Sequence, residues 1–397
     1  MRNVVIVDAV RTAVGRMGGI FADVEVDRLS ARVMNEVIVR SGIAAGDIDE
    51  VVWGQAKQSS DTANLARVAA LKAGIPDHVP AYTVHRQCGS GLQAIHNAAQ
   101  QIMCGYADVV LAGGGESMST APYYIRNVRY GLKAGNGEIV DPNTESQPRA
   151  QPMEIYGPLT MGVTAENLVE KYGISRQEQD EFALESQRKA KSAIAAGRFK
   201  AEIVPMEVKR NRQTVTVDTD EHPRDTTLEK LAKLPAVFKE GGTVTPGNAS
   251  GRNDGAAALV LMAEEEAVRR GLKPILRVTA QAAAGVDPRY MGIGPVPATQ
   301  RALRLAGRRL EEIDVIELNE AFAAQAIAVT REWQLDLRKL NPNGGAIALG
   351  HPIGATGAIL MTKLMHEMNR RECRYGLVTL CVGGGQGIAT VVERWKR

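Results

Sequence analysis

Residues 81–94 read AYTVHRQCGSGLQA. The strand-like run Ala81-Tyr82-Thr83-Val84 enters a glycine turn headed by a cysteine, Cys88-Gly89-Ser90-Gly91, and apolar residues then recur at helical spacing from about Leu92 to Cys104. Strand, tight turn and helix make one unit of an α/β sheet. A thiol at the start of a helix feels the positive end of the macrodipole and the unpaired amides of the first turn. Cys88 is therefore expected to have a lowered pKa and a thiolate available near neutral pH. The glycines are expected to let a substrate approach the backbone.

The same grammar returns in the second half. The first-half turn and helix lead to Asp108-Val109-Val110-Leu111-Ala112 and then Gly113-Gly114-Gly115. Gly354 to Gly357 likewise leads into a helical stretch, then Tyr375-Gly376-Leu377-Val378-Thr379-Leu380, then Gly383-Gly384-Gly385. A smaller echo pairs Asp47 to Val52 with Glu312 to Ile316. Such self-similarity points to duplication of one α/β unit, and short β-branched runs alternating with helical periodicity point to buried strands covered by helices.

From about Thr120 to Asn248 the pattern loosens, with Pro122, Pro142, Pro148, Pro152 and Pro158 and polar loops such as Lys209-Arg210-Asn211-Arg212-Gln213. Helices are expected at Thr164 to Tyr172 and at Ser175 to Ala196, the latter with Ser175 as N-cap and Glu178 completing a capping box. The expected organisation is a first half at 1–119 with 249–272, an inserted lid at 120–248 lying over a site, and a second half at 273–397.

The chain has 397 residues, enough for two cores, with a net charge of only +3. Its basic residues are interspersed with acidic ones, which gives no electrostatic case for nucleic acid or a membrane surface. The four cysteines, Cys88, Cys104, Cys373 and Cys381, lack zinc-finger spacing and disulfide density, so no metal site and a reducing compartment are expected. Met1-Arg2-Asn3 runs straight into the strand-like Val4 to Val7, and no apolar run approaches a membrane span, so a cytoplasmic, soluble protein is expected.

His351 in Gly350-His351-Pro352-Ile353-Gly354 and Cys381 in Leu380-Cys381-Val382-Gly383 sit in glycine-bordered turns, and Glu317-Leu318-Asn319-Glu320 lies between a strand and a helix. Two thiols and one imidazole suit carbon-carbon bond chemistry on thioesters: a carrier of the acyl group, a base to activate it, and an acid or base for the carbon that leaves or attacks.

The segments Cys88-Gly89-Ser90-Gly91-Leu92-Gln93-Ala94, Gly247-Asn248-Ala249-Ser250-Gly251, Asn319-Glu320-Ala321-Phe322, Gly350-His351-Pro352-Ile353-Gly354 and Cys381-Val382-Gly383-Gly384-Gly385 resemble, in order and along the whole chain, the signatures of the thiolases. The resemblance implies a duplicated, layered α/β/α/β/α fold with an inserted loop domain, and either thiolytic cleavage of 3-ketoacyl-CoA or condensation of acetyl-CoA. It implies Cys88 as acyl carrier, His351 as its base, Cys381 as second acid/base, and a water on Asn319 with His351 as the enolate site. The backbone N–H groups of Cys88 and Gly383 become the oxyanion site. Coenzyme A and acyl-CoA would be substrates, with no permanently bound cofactor. Ala249, Ser250, Phe238 and Met161 would meet the pantetheine arm and Arg224 the nucleotide.

A homo-oligomer, dimer or tetramer, is implied, as is a β-oxidation partner subunit as an option. Two alternatives share the architecture: a decarboxylating ketoacyl synthase, which has histidine where Cys381 stands, and an inactive docking subunit. The chain departs from the family at His85, where asparagine is usual, and at Thr160, where acetoacetyl-CoA enzymes often have histidine before Met161-Gly162. Cys104 is expected to pack in the core, and His78, His96, His222 and His366 to be structural or solvated.

Overall fold

The computed structural model describes residues 1–210 and 212–396. Nine strands run through one large mixed sheet: β1 (Val4–Arg11), β2 (Glu50–Gly54), β3 (Ala81–Val84), β4 (Val109–Ser117), β5 (Asn253–Ala263), β6 (Leu276–Gly285), β7 (Val315–Leu318), β8 (Tyr375–Val382) and β9 (Gln386–Arg394). The order is β7-β8-β9-β6-β1-β5-β4-β2-β3, with the short Gly15–Arg16 segment paired to β5. The first half contributes β1-β5-β4-β2-β3 and the second β6-β9-β8-β7. A parallel bridge from Ile316 to Leu340 stands where the first half has β3 beside β2. The halves meet where β1 pairs antiparallel with β6 at Val4↔Val278, Val5↔Arg277 and Ile6↔Leu276. The duplication expected from the sequence is thus present as equivalent strand order on either side of that seam.

Eight longer helices are α1 (Val26–Ser41), α2 (Leu65–Lys72), α3 (Ser90–Met103), α4 (Met161–Tyr172), α5 (Arg176–Ala195), α6 (Pro295–Ala306), α7 (Ala323–Trp333) and α8 (Thr356–Arg371). Three cores separate the layers. One joins α1 and α2 to the first half-sheet, a second holds α3 and α8 between the half-sheets, and a third joins α6 and α7 to the second half-sheet. That is the expected α/β/α/β/α layering. In α3, Leu92, Ile95, Ala99 and Ile102 are spaced to bury one stripe in the central layer. Each large apolar side chain there contributes about 1.5–3 kcal/mol.

The glycines of the two turns serve this layer, which corrects the expectation that they admit a substrate. A Cβ on Gly91 would lie 2.9 Å from the Gly354 carbonyl oxygen, and one on Gly357 2.3 Å from the Leu92 nitrogen. They let α3 and α8 start against each other, which sets the Cys88 and His351 turns side by side.

The middle segment does two things. Ala190, Ala193, Phe199, Ile203, Met206, Val208 and Val217 belong to the same core as α1, while later and earlier parts of the segment face the cavity described below. Arg11, buried in β1, holds it with Glu202 and Asp220, both at 2.7 Å. The polar stretch expected as a loop around Lys209 is a hairpin, Met206–Arg210 against Gln213–Val217, because Met206, Val208 and Val217 alternate inward; Asn211 lies outside the described residues. The capping box at Ser175 and Glu178 forms as expected. Helix α4 begins at Met161, three residues before the expected start, because the Thr160 hydroxyl caps it by accepting from the Val163 N–H. That is a structural use for the departure at Thr160.

Candidate active site

Strands β2, β3 and β4 run parallel, as do β7 and β8, and the residues that can do chemistry sit at their carboxyl ends. In open α/β sheets that edge collects ligands because the loops following each strand open there. Lys57 follows β2, Cys88 follows β3, Glu116 ends β4, Asn319 follows β7, and Cys381 and Gly383 close β8. Lys57, Cys88, His351, Cys381 and Gly383 all line one cavity.

The turn carrying Cys88 is tight. Gln87 has a positive φ of 45°, an uncommon conformation for a residue with a Cβ. It is held by Ser90, whose hydroxyl accepts from the Arg86 N–H at 2.9 Å and donates to the Gln87 carbonyl at 2.6 Å. Helix α3 starts only at Ser90, and the Gly89 and Ser90 amides are spent on the Arg86 and Gln87 carbonyls. Burial therefore pushes the Cys88 thiol up, against the expectation of a lowered pKa. The amides of Gly383 and of Cys88 itself, and the charge of Lys57, oppose the rise without overcoming it. The resting nucleophile is a thiol, and it needs a base.

His351 is built as that base. Its backbone N–H donates to Asn253 Oδ1 at 2.9 Å. Its Nδ1 lies 2.6 Å from Thr356 Oγ1, and the single hydroxyl proton of Thr356 goes to the Pro352 carbonyl at 2.8 Å. The hydroxyl must then accept from Nδ1–H, which fixes the tautomer and leaves Nε2 as the basic nitrogen. Burial holds the imidazole pKa down at about 4, so it is neutral at physiological pH. Asn319 Nδ2 sits 3.4 Å from Nε2, and the buried Asn319 Oδ1 has no protein partner among the described residues. An orphaned buried amide oxygen is what a bound water satisfies.

Cys381 is fully buried at the end of β8, and burial, with Cys88 nearby, pushes its thiol well above the ordinary range. It packs with Ala249, Met291, Ala321 and Phe322 into an apolar wall completed by Met161 and Phe238. Phe238 meets Phe322 edge-on at 5.9 Å, and Gly162 is required because a Cβ there would lie 2.1 Å from the Phe238 ring. Ser250 lines the cavity with its N–H on the Ala321 carbonyl at 3.0 Å. The structure thus brings Cys88, His351, Cys381, Gly383, Ala249, Ser250, Phe238 and Met161 together, with Asn319 behind His351.

Arg224 is not brought to this lining; its guanidinium donates to the Pro246 carbonyl at 3.2 Å. His85 is also off the lining. Cys104, expected in the core, is exposed at the C-cap of α3, where the helix has already turned off the sheet.

Besides Lys57 on the lining, three residues that order the site were not anticipated from the sequence. Thr356 and Asn253 orient His351. Glu116 is fully buried and accepts N–H bonds from Ala56 and Lys57 at 3.0 Å and from Gly354 at 2.9 Å, fastening the His351 loop to the end of β2. Glu116 follows the quoted Gly113-Gly114-Gly115 directly, yet its partners lie far away in sequence, so only a carboxylate inside an apolar strand hinted at it.

Comparison with known proteins places this arrangement. Residues 4–265 match the family described as "Thiolase, N-terminal domain" and residues 272–394 "Thiolase, C-terminal domain". A beta-ketothiolase of Cupriavidus necator is 52% identical over 396 residues, covering 99% of each chain. An acetyl-CoA acetyltransferase of Pseudomonas aeruginosa is 50% identical over 396 residues, covering 99% of this chain and 100% of that one. The crystal structure of the Bacillus anthracis acetyl-CoA acetyltransferase superposes with a TM-score of 0.97 at 48% identity, over 100% of this chain and 99% of that one. That of human mitochondrial 3-ketoacyl-CoA thiolase gives 0.95 at 44%, over 99% of each. The chain belongs to the thiolase family.

Proposed function

We propose that the protein is a CoA-dependent acyltransferase that cleaves 3-ketoacyl-CoA to acetyl-CoA and a shortened acyl-CoA, or runs the reverse condensation, through an acyl-Cys88 intermediate. The observation that carries this reading is one cavity lined by Cys88, by a neutral His351 with an unprotonated Nε2, and by Cys381. His351 Nε2 takes the Cys88 proton, and the thiolate attacks the ketone carbon. The N–H groups of Cys88 and Gly383, which reach the sulfur in the resting enzyme, meet the oxyanion that forms.

The C2–C3 bond then breaks, leaving the acyl group on Cys88 and the electron pair on the acetyl-CoA enolate. Imidazolium His351 and a water on Asn319 meet the enolate oxygen, and the Cys381 thiol delivers the proton to C2. The thiol of coenzyme A, deprotonated by the Cys381 thiolate, attacks the acyl carbon; the C–S bond to Cys88 breaks, and the leaving Cys88 thiolate takes back the proton held by His351. A thiol raised by burial suits Cys381, because a strong conjugate base is needed to remove the weakly acidic α-proton in the reverse direction.

The apolar wall of Phe238, Met161, Ala249 and Ser250 is the side assigned to the pantetheine arm, with Arg224 toward the nucleotide. The division into halves at 1–119 with 249–272 and at 273–397, with 120–248 as insert, is retained. Strand β3 ends the sheet as an unpaired edge, which supports a dimer or tetramer, and free thiols in the site favour a reducing compartment such as the cytoplasm. Among the described residues no helix is long and apolar enough to cross a membrane. Steady-state thiolysis of acetoacetyl-CoA and longer 3-ketoacyl-CoA tests the activity, and no cleavage of any of them contradicts it. Light scattering giving the mass of a single chain contradicts the oligomer.

A further inference from the structure

Three cationic side chains of lysine or arginine are buried among the described residues: Arg11, Lys57 and Lys363. Arg11 has Glu202 and Asp220, and Lys363 has Glu317 at 2.7 Å. Lys57 has no carboxylate within ion-pair distance among the described residues. Its ammonium donates to the Pro142 carbonyl at 3.2 Å and to the Ser146 hydroxyl, which leaves one of its three protons without a protein acceptor. The Glu116 carboxylate takes its hydrogen bonds from backbone N–H groups and reaches the ammonium only through its field, and Asp141 pairs with Arg252 at 3.6 Å. A buried charge with no carboxylate in contact is costly: Glu116 and Asp141 act on it only at longer range, and burial pulls the Lys57 pKa below its ordinary value. The fold nonetheless keeps it, on the wall of the catalytic cavity.

Its place in that cavity says what it would meet. The cavity lining around Lys57 includes the polar Asn143, Ser146 and Gln147, with Gln87 next to Cys88. Lys57 lines the cavity in which Cys88 meets the reacting carbon, and the two side chains feel each other's charge. The phosphates of coenzyme A are held off from that carbon by the full length of the pantetheine arm, so they are not its partner. Cys381 must reach C2, which is bonded to the thioester; the acyl tail beyond the ketone therefore runs away from Cys381, within the cavity that Lys57 lines.

We propose that Lys57 is a specificity-determining residue that selects 3-ketoacyl-CoA substrates whose short acyl tail ends in a carboxylate. The proposal rests on the acyl-transfer reading above. The substrate carboxylate supplies the carboxylate contact that Glu317 gives Lys363, and Ser146 holds the ammonium in place to receive it. A tail ending in a methyl group leaves the third ammonium proton without an acceptor and is disfavoured.

The test compares kcat/KM for thiolysis of 3-ketoadipyl-CoA, which ends in a carboxylate, with 3-ketohexanoyl-CoA, which has the same carbon count and ends in a methyl. The wild-type enzyme is expected to prefer the carboxylate. Lys57→Met is expected to lower the ratio by about 10²-fold, and Lys57→Arg to keep the preference. A wild-type ratio at or below one overturns the proposal without any variant having to fold. A Lys57→Met enzyme that loses both substrates equally also overturns it, since Lys57 then acts only on Cys88. If the wild-type enzyme cleaves neither of these nor acetoacetyl-CoA, the acyl-transfer reading fails as well; if it cleaves acetoacetyl-CoA and 3-ketohexanoyl-CoA but not 3-ketoadipyl-CoA, only this proposal fails.

Discussion

Helices α3 and α8 occupy equivalent places in the two halves, and each is entered through a glycine turn at the carboxyl edge of the sheet. The first turn carries a thiol and the second an imidazole. The thiol is held in a strained turn with its sulfur under two amides, while the imidazole is tied to the first residue of its own helix through Thr356. Burial acts on both in opposite senses: it raises Cys88, whose charged form is the deprotonated one, and lowers His351, whose charged form is the protonated one. Both are therefore neutral at rest. Equivalent helix entries in the two halves thus carry groups of opposite kind, one an acid and the other a base.

The largest effect expected from breaking this pairing is Cys88→Ser. Turnover should fall by on the order of 10⁴-fold or more, because a hydroxyl is a far weaker acid than the thiol it replaces, while the circular dichroism spectrum stays that of the wild type. Removing the second thiol should have a narrower effect. Cys381→Ala is expected to lose exchange of acetyl-CoA α-protons with deuterium by about 10²- to 10⁴-fold yet still transfer acetyl to Cys88. Exchange at the wild-type rate would return Cys381 to a packing role.

The neutral resting pair has its own signature. Because the folded-state thiol pKa of Cys88 lies above the ordinary value, its thiolate fraction, and hence alkylation of the free enzyme at Cys88 by iodoacetamide, should climb about tenfold per pH unit through the neutral range. A plateau at acid pH would mean a thiolate-imidazolium pair instead. Smaller still is Thr356→Val. Losing one hydrogen bond to Nδ1 should lower kcat about tenfold, seen in steady-state thiolysis, with KM little changed.

Much of this was legible in the sequence because it is local. The strand-turn-helix at Ala81 to Met103, the capping box at Ser175 and Glu178, and the repeat of the whole unit in the second half are periodicities and turn residues that need no knowledge of the other half. The order of the five motifs also sufficed to collect Cys88, His351, Cys381 and Gly383. What stayed hidden depends on contacts across the sheet. Glu116 meets Gly354, Asn253 meets His351, and the apolar neighbours of Cys88 come from β8 and from the insert. Desolvation of the nucleophile exceeds the helix-end effect, and the sequence shows only the latter. Lys57 was passed over for the same reason, since a lysine after a strand reads as solvated until the segment around Pro142 closes over it.

The account stands on the acyl carrier. Incubation of the protein with acetyl-CoA, followed by peptide mass spectrometry after rapid acid quench, should find a single acetyl group on the peptide containing Cys88, lost when coenzyme A is added before the quench. An acetyl group on Cys381 or Cys104, or none on Cys88 while thiolysis proceeds, would contradict it.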